Sequence, residues 1–448
     1  MSSPSKQPAM EYWFESERNA SELCIKRIPF DASKEWLWSD DGNLIHRTGR
    51  FFSITGIKYY SVQDERFVSQ PIVDQPEIGL LAFLVSKDSA GWWILLHLKV
   101  EPGNINEVQL SPTVQATKSN YEAAHGGART PYLELVQSPR QVLCNQLQSE
   151  QNSRFLKKRN RNCVVLTDKT IKEQHTRYKW VPIHQALPLL KQNHTVNTDA
   201  RSVLTCWLFT DASVLRECLP PAEVGFSSLL IDSMTARNAV HRLQHLEGWL
   251  EDLNRQWPGQ TEIISLRNLD APWICTNSGI SSSEDPSLTV YQISISCKTR
   301  EVSHWDQPIF GSQVTSEQIL ILGRFDGVLH LLLQARLEAG NRYGFELTTT
   351  VQSNTTSAAP CEKKYLELAK KSGKLLLRFD NSEEGGRFDR YISQYQIILL
   401  DEATREQEGT FHRWVSLSQV SDFLRREKFI TNELRSAMSA LLTIRDVS

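Results

Sequence analysis

Apolar and polar residues follow two different rhythms along this chain. The run Ile94-Leu95-Leu96-His97-Leu98-Lys99-Val100 is dense in branched apolar residues and predicts a strand, as does 328–337. Each leads into a turn, Pro102-Gly103-Asn104 or Ala339-Gly340-Asn341, where Gly and Asn accept positive φ at little cost. Later strands are expected at 163–166 and 395–400, with helical stretches at 183–190 and 418–426 after Trp180 and Trp414. From 232 to 257, Val240, Leu243, Leu246, Trp249, Leu250 and Leu253 recur every three or four positions, the mark of an amphipathic helix.

The same order occurs twice because the sequence resembles itself. Gln70-Pro71-Ile72 returns as Gln307-Pro308-Ile309, an offset of 237, and Trp36 returns as Trp273. At that offset Glu101, Gly103 and Asn104 meet Glu338, Gly340 and Asn341. Ser149-Glu150 and Arg154-Phe155 recur as Ser382-Glu383 and Arg387-Phe388 at 233, and Arg201-Ser202 as Arg435-Ser436 at 234. A drift of four positions reads as loop-length change within a duplicated module. The expected architecture is α+β: an N-terminal module over 1–215, a helical linker over 216–260 and a C-terminal module over 261–448.

Composition narrows the function. With 50 Lys+Arg against 52 Asp+Glu, the net charge of −2 lacks the basic surplus of a sequence-independent nucleic-acid or membrane-surface binder. No apolar stretch approaches the ~20 residues of a membrane span, and the first ten residues are polar. The expected setting is therefore cytoplasmic, with neither nucleic acid nor membrane as partner. The eight cysteines are scattered without paired ligand spacing, and the eleven histidines form no helical pair, so neither a metal nor another cofactor is expected.

Polar residues concentrate in the first copy. In the 108–117 segment, alternation sets Gln109, Thr113, Gln115 and Thr117 on one face, a row of neutral donors and acceptors suited to a hydroxyl-rich ligand. A solvated edge strand would show the same pattern. In 154–161, Arg154, Lys157, Lys158, Arg159 and Arg161 gather five positive charges, which suit a diphosphate or simply a solvated loop. His46 lies near Trp36, Phe51 and Phe52, rings that could stack a nucleobase or fill a core.

The blocks Glu-Pro-Gly-Asn…Gln-Leu-Ser-Pro-Thr-Val-Gln-Ala-Thr-Lys-Ser-Asn-Tyr (101–121) and Gln-Ser-Glu-Gln…Phe-Leu-Lys-Lys-Arg-Asn-Arg-Asn (148–162) resemble the NDP-hexose 2,3-dehydratase family. The resemblance extends over nearly the whole chain. It implies a tandem duplication of Nudix-hydrolase-like modules, a homodimer, and a dTDP-sugar substrate dehydrated across carbons 2 and 3. It also implies a separate 3-ketoreductase downstream, in deoxysugar biosynthesis for natural products. The second copy lacks the Lys-Arg-Asn-Arg-Asn run, so the first is expected to hold the working site. Glu101, His97, Tyr121 and His46 are the candidates for acid–base work. Gln115, Thr117, Asn120 and Trp36 are the candidates for sugar or base contacts, and Arg154, Lys158, Arg159 and Arg161 for the diphosphate. A non-catalytic nucleotide-sugar binder and a ketosugar isomerase or epimerase are the alternatives. A Nudix pyrophosphatase is disfavoured, since Arg216-Glu217-Cys218 lacks the surrounding acids of a Nudix box.

Overall fold

A computed structural model describes residues 7–117, 130–219, 225–300, 302–354 and 358–445. Its strands form two large and two small sheets, and the mixed α+β architecture expected from the sequence is what is found. The first seven-stranded sheet runs Gln141–Ser149, Arg159–Leu166, Gly79–Asp88, Gly91–Val100, Tyr178–Pro182, with Val108–Ser111 and Val114–Ala116 paired to its central strands. The second has the corresponding order, Gly373–Ser382, Ile392–Leu400, Ser316–Phe325, Val328–Arg336, His412–Ser416, with Glu346–Thr348 and Val351–Asn354 in the equivalent places. Even the irregularities agree. Each sheet has one parallel central pair, and each edge strand shifts register once, at Val142/Cys144 and at Leu375/Leu377.

The central strands are apolar on both faces because both faces are covered. On Gly91–Val100, Trp92, Ile94, Leu96, Leu98 and Val100 enter the main core, while Leu95 packs into a second cluster on the opposite side. Alternation then puts His97 and Lys99 on the Leu95 side of the strand. The main core draws side chains from both halves of the chain, so one apolar interior is shared. At its centre the helices Thr198–Leu208 and Asn432–Leu441 pack together. Arg201 and Arg435 are buried between them. Arg201 donates to Leu190 O and Val196 O at 2.7 and 3.1 Å, and Arg435 to Ile430 O at 2.6 Å. Guanidiniums this deep are held by carbonyl oxygens in place of carboxylates, which satisfies their fork of donors without burying further charge.

The small sheets tie the halves together by reciprocal exchange. One contains Trp36–Trp38, Leu44–His46, Ser53–Ser61 and Arg66–Asp74, and takes Thr261–Ile264 from the second half as a partner for Ser53–Ser61. The other contains Trp273–Thr276, Gly279–Ser282, Thr289–Ser296 and His304–Gly311, and takes Cys24–Ile28 from the first half. Cys24 opposes Ser296 and Thr261 opposes Tyr59, the same pairing moved by 237 positions. The turns follow suit. Gly103 N–H donates to Gly385 O at 2.8 Å, and Gly340 N–H to Asn152 O at 2.8 Å. A Cβ on either glycine would fall within 2 Å of a carbonyl oxygen of the other half, 1.7 Å from Phe388 O or 1.9 Å from Phe155 O.

Two helical expectations need adjustment. The 232–257 stretch is not continuous: Phe226–Thr235 ends before an extended stretch, and Leu243–Gln256 begins afresh with Leu246, Leu250 and Leu253 buried. The 183–190 stretch is one α-turn, Ile183–Ala186, followed by the 3₁₀ segment Leu187–Lys191. Pro188 lacks the N–H that would continue the α ladder. Among the described residues, no helix is long and apolar enough to cross a membrane.

Candidate functional site

A cavity of about 260 Å³ opens at the end of the first large sheet where the two halves meet. Several expected residues line it. His97 and Lys99 project from Gly91–Val100, and Glu101 follows where the strand gives way to the Pro102-Gly103-Asn104 turn. His97 lies flat on Tyr178, with ring centroids 4.4 Å apart, and its Nδ1 is 3.1 Å from Ser111 Oγ. Burial, reinforced by the charges of Arg177 and Lys99, pushes its pKa well below the usual imidazole range, so it is neutral at pH 7. Glu101 is buried, with Oε1 2.7 Å from Lys99 Nζ.

Trp36, His46 and Phe51 form an aromatic wall. The His46 ring centroid is 5.6 Å from Trp36 and 4.4 Å from Phe51, and His46 Nδ1 is 2.8 Å from Thr48 Oγ1. Gln115 and Thr117 also line the space, and Gln115 Oε1 accepts from Asn197 Nδ2 at 3.1 Å. Lys158 is buried there, its ammonium donating to Glu77 O. Burial first, then the Arg387 charge, brings Lys158 down to about 8. Asn120 and Tyr121 lie outside the described residues.

The arginine cluster is dispersed. Arg154 crosses to the second half, donates to the Tyr391 hydroxyl and stacks 3.9 Å above the Tyr391 ring. Arg159 donates to Leu147 O at 2.8 Å and faces Tyr343. Arg161 donates to Asn145 Oδ1 at 2.9 Å. None of the three lines the cavity. The reason is the strand Arg159–Leu166: period-two alternation sends Arg159 and Arg161 to one face and Asn160, which does line the cavity, to the other.

The cavity's guanidiniums are instead Arg177, Arg300 and Arg387. Arg387 is the repeat counterpart of Arg154. It reaches from the second half into the first, stacking 3.9 Å over Phe52, much as Arg154 reaches the other way. The doubled Arg-Phe motif was the available signal, although sequence spacing alone assigned each copy to its own half. Acidic groups were missed as well: Glu17, Glu150, Asp199 and Glu384 also line the cavity. Glu150 is clamped by Asn160 Nδ2 and by Asn432 Nδ2, the latter at 2.7 Å, and burial raises it well above the carboxylate range. Burial raises Glu384 too, against the nearby Arg387 charge. Asp199 is pushed up to about 7, by burial and then by Glu384. Among the described residues, no group of three or more His, Cys, Asp or Glu is placed to hold a metal.

Carboxylates raised by burial, a lysine lowered by it, guanidiniums and an aromatic wall in one cavity mark a site suited to proton transfer on a polar, anionic ligand. Comparison with known proteins identifies it further. The sequence model of the NDP-hexose 2,3-dehydratase family matches residues 7–207 and again 243–441. The chain belongs to that family, and is accordingly a hydro-lyase acting on a nucleoside-diphosphate hexose. A dTDP-4-dehydro-6-deoxy-α-D-glucopyranose 2,3-dehydratase of Saccharopolyspora spinosa is 32% identical over 97% of this chain and 91% of its own length. Those of Amycolatopsis orientalis and Streptomyces violaceoruber are 30% and 31% identical over 96% and 97% of this chain, and 88% and 96% of their own lengths. A crystal structure of an ADP compounds hydrolase matches 35% of this chain and 83% of its own, at 19% identity and a TM-score of 0.22.

Proposed function

We propose that the protein removes water across carbons 2 and 3 of dTDP-4-keto-6-deoxyglucose, giving a 3,4-diketo-2,6-dideoxy sugar. The observation that carries this is the near full-length likeness to relatives named for that reaction, 96–97% of the chain in each case. The cavity supplies the means. The ketone at carbon 4 acidifies the carbon 3 proton, and the carbon 2 hydroxyl lies β to that ketone. A buried carboxylate takes the proton, an ammonium balances the enolate, and an acid assists the hydroxyl as it leaves. General acid and base help are worth about 10²–10⁴-fold each, so ordinary side chains suffice.

Within this proposal Lys99, held by Glu101, faces the enolate oxygen, and neutral His97 accepts a hydrogen bond from a sugar hydroxyl. Trp36, His46 and Phe51 wall the nucleobase, and Gln115 and Thr117 contact the sugar. Arg177, Arg300 and Arg387 hold the diphosphate. The proposal extends to a tandem duplication of Nudix-like modules divided as 1–215, 216–260 and 261–448. The repeated strand order, the twofold family match and the exchanged strands support the duplication, and family resemblance supports the Nudix likeness. A homodimer in the cytoplasm, passing its product to a 3-ketoreductase, completes it.

The test is incubation with dTDP-4-keto-6-deoxyglucose, a 3-ketoreductase and NADPH, followed by mass analysis. Loss of one water together with gain of two hydrogens from the reductase step is expected. Unchanged ketosugar would indicate a binder, and solvent deuterium gained without loss of water an isomerase or epimerase.

A further inference from the structure

We propose that Asp199 is the base that takes the carbon 3 proton and that Lys158 protonates the departing hydroxyl, an assignment that rests on the reaction proposed above. Asp199 stands in the first turn of Thr198–Leu208, a helix capped by Asn197, whose Oδ1 accepts the Ala200 N–H at 2.8 Å. The same Asn197 amide donates to Gln115, which ties the start of the helix to the cavity wall. Asp199 is only 3% exposed, lines the cavity, and keeps Oδ1 buried without a hydrogen-bond partner. A buried carboxylate oxygen left unpaired costs stability, so its retention calls for a role that contacts within the protein do not supply.

Three of the neighbouring groups are already engaged, while Glu17 Oε1 on the cavity wall is buried and unpaired like Asp199 Oδ1. Glu101 is bound to Lys99, both oxygens of Glu150 are held by asparagine amides, and His97 is tied to Ser111 and covered by Tyr178. Around Asp199 lie Glu384 and Glu101, which disfavour its charge, and Lys99 and Lys158, which favour it; the Asp199 charge in turn disfavours that of Glu150. Asp199 near 7 and Lys158 near 8 are matched for proton exchange at neutral pH.

The step balances. The carbon 3–hydrogen bond breaks toward Asp199, and its electron pair forms the enolate at carbons 3 and 4. As the carbonyl reforms, the pair moves to carbons 2 and 3. The carbon 2–oxygen bond then breaks, and hydroxide takes a proton from Lys158 to leave as water. Protonated Asp199 and neutral Lys158 exchange a proton, restoring the enzyme. The repeat counterpart of Asp199 is Glu433, also buried with one oxygen unpaired, so this position carries a carboxylate in both halves.

The experiment compares the full-length protein with Asp199→Asn and Asp199→Glu. It measures dehydration, washout of deuterium from carbon 3-labelled dTDP-4-keto-6-deoxyglucose, and dTDP binding by calorimetry. In the wild type kcat/KM should fall about tenfold per pH unit below about 7. Asp199→Asn should bind dTDP within about threefold of wild type yet lose both dehydration and washout by about 10²–10⁴-fold. Retention of more than a tenth of kcat, or normal washout without dehydration, overturns the assignment. If Asp199→Asn also loses dTDP binding, Asp199→Glu decides: washout restored above a hundredth of wild type supports the base, and none overturns it. A wild type that leaves the ketosugar intact overturns the reaction itself, and this assignment with it.

Discussion

Gly103→Ala tests the crossing of the two halves directly. An ideal Cβ at Gly103 lies 1.7 Å from Phe388 O and 2.8 Å from Gly385 O, where ordinary contact begins at 3.4 Å. The obstacle is backbone of the other half, so no side chain can swing aside. The methyl must push the segments apart, breaking Gly103 N–H to Gly385 O and Arg390 N–H to Gly103 O, both 2.8 Å. Overpacking costs about 1–3 kcal/mol, and each lost hydrogen bond about 1 kcal/mol, giving about 3–5 kcal/mol in all. Gly340→Ala should cost a similar amount, since its Cβ meets Phe155 O at 1.9 Å and Asn152 O at 2.4 Å. Gly248→Ala is the control: inside Leu243–Gln256, with nothing within 4 Å, it should gain about 0.5–1 kcal/mol. Urea unfolding followed by tryptophan fluorescence measures all three. A loss below about 1 kcal/mol for both Gly103→Ala and Gly340→Ala would refute the close crossing.

Other outcomes follow from the same geometry. Asp199 titrates near 7 in the folded chain against about 4 when unfolded, so its ionisation opposes folding: stability falls as pH rises from about 4 to 7 and is flat above. Asp199→Asn removes that loss, and its unfolding free energy in urea relative to wild type should rise by about 3 kcal/mol between pH 5 and pH 8; an equal difference at both pH values contradicts it. Arg387→Ala should raise KM for the sugar nucleotide about 10–100-fold, as loss of a charge-assisted contact does, whereas Arg161→Ala should change it less than about twofold. Steady-state kinetics on both variants would expose the reverse ranking. Because each half lends the other a strand, 1–238 and 239–448 expressed separately should be insoluble, and co-expressed they should co-purify. A monodisperse isolated half would contradict the exchange.

Part of the cavity wall was legible along the chain. The dense apolar run 94–100 located the strand that presents His97 and Lys99, and Glu101 was placed at its end. The doubled motifs at offsets of 237 and 233 anticipated two sheets of one strand order, because the spacing of apolar residues must match the spacing of strands that bury them. Family resemblance supplied the reaction. What escaped notice were groups with no local pattern: Asp199 reads as an ordinary first-turn acid after Asn197, and only burial in a charged cavity raises its pKa.

The positive cluster at 154–161 shows where sequence stops and tertiary structure begins. Its composition suggested one cradle, but strand alternation splits Arg159 and Arg161 from Asn160, and the crossing of the halves carries Arg154 away while bringing Arg387 in. Local periodicity determined which residues form strands and which faces they show. Partner choice between two halves of like strand order was decided only by three-dimensional packing, because backbone hydrogen bonding alone does not distinguish one sheet edge from another, and the shared core selects which sheet a strand joins.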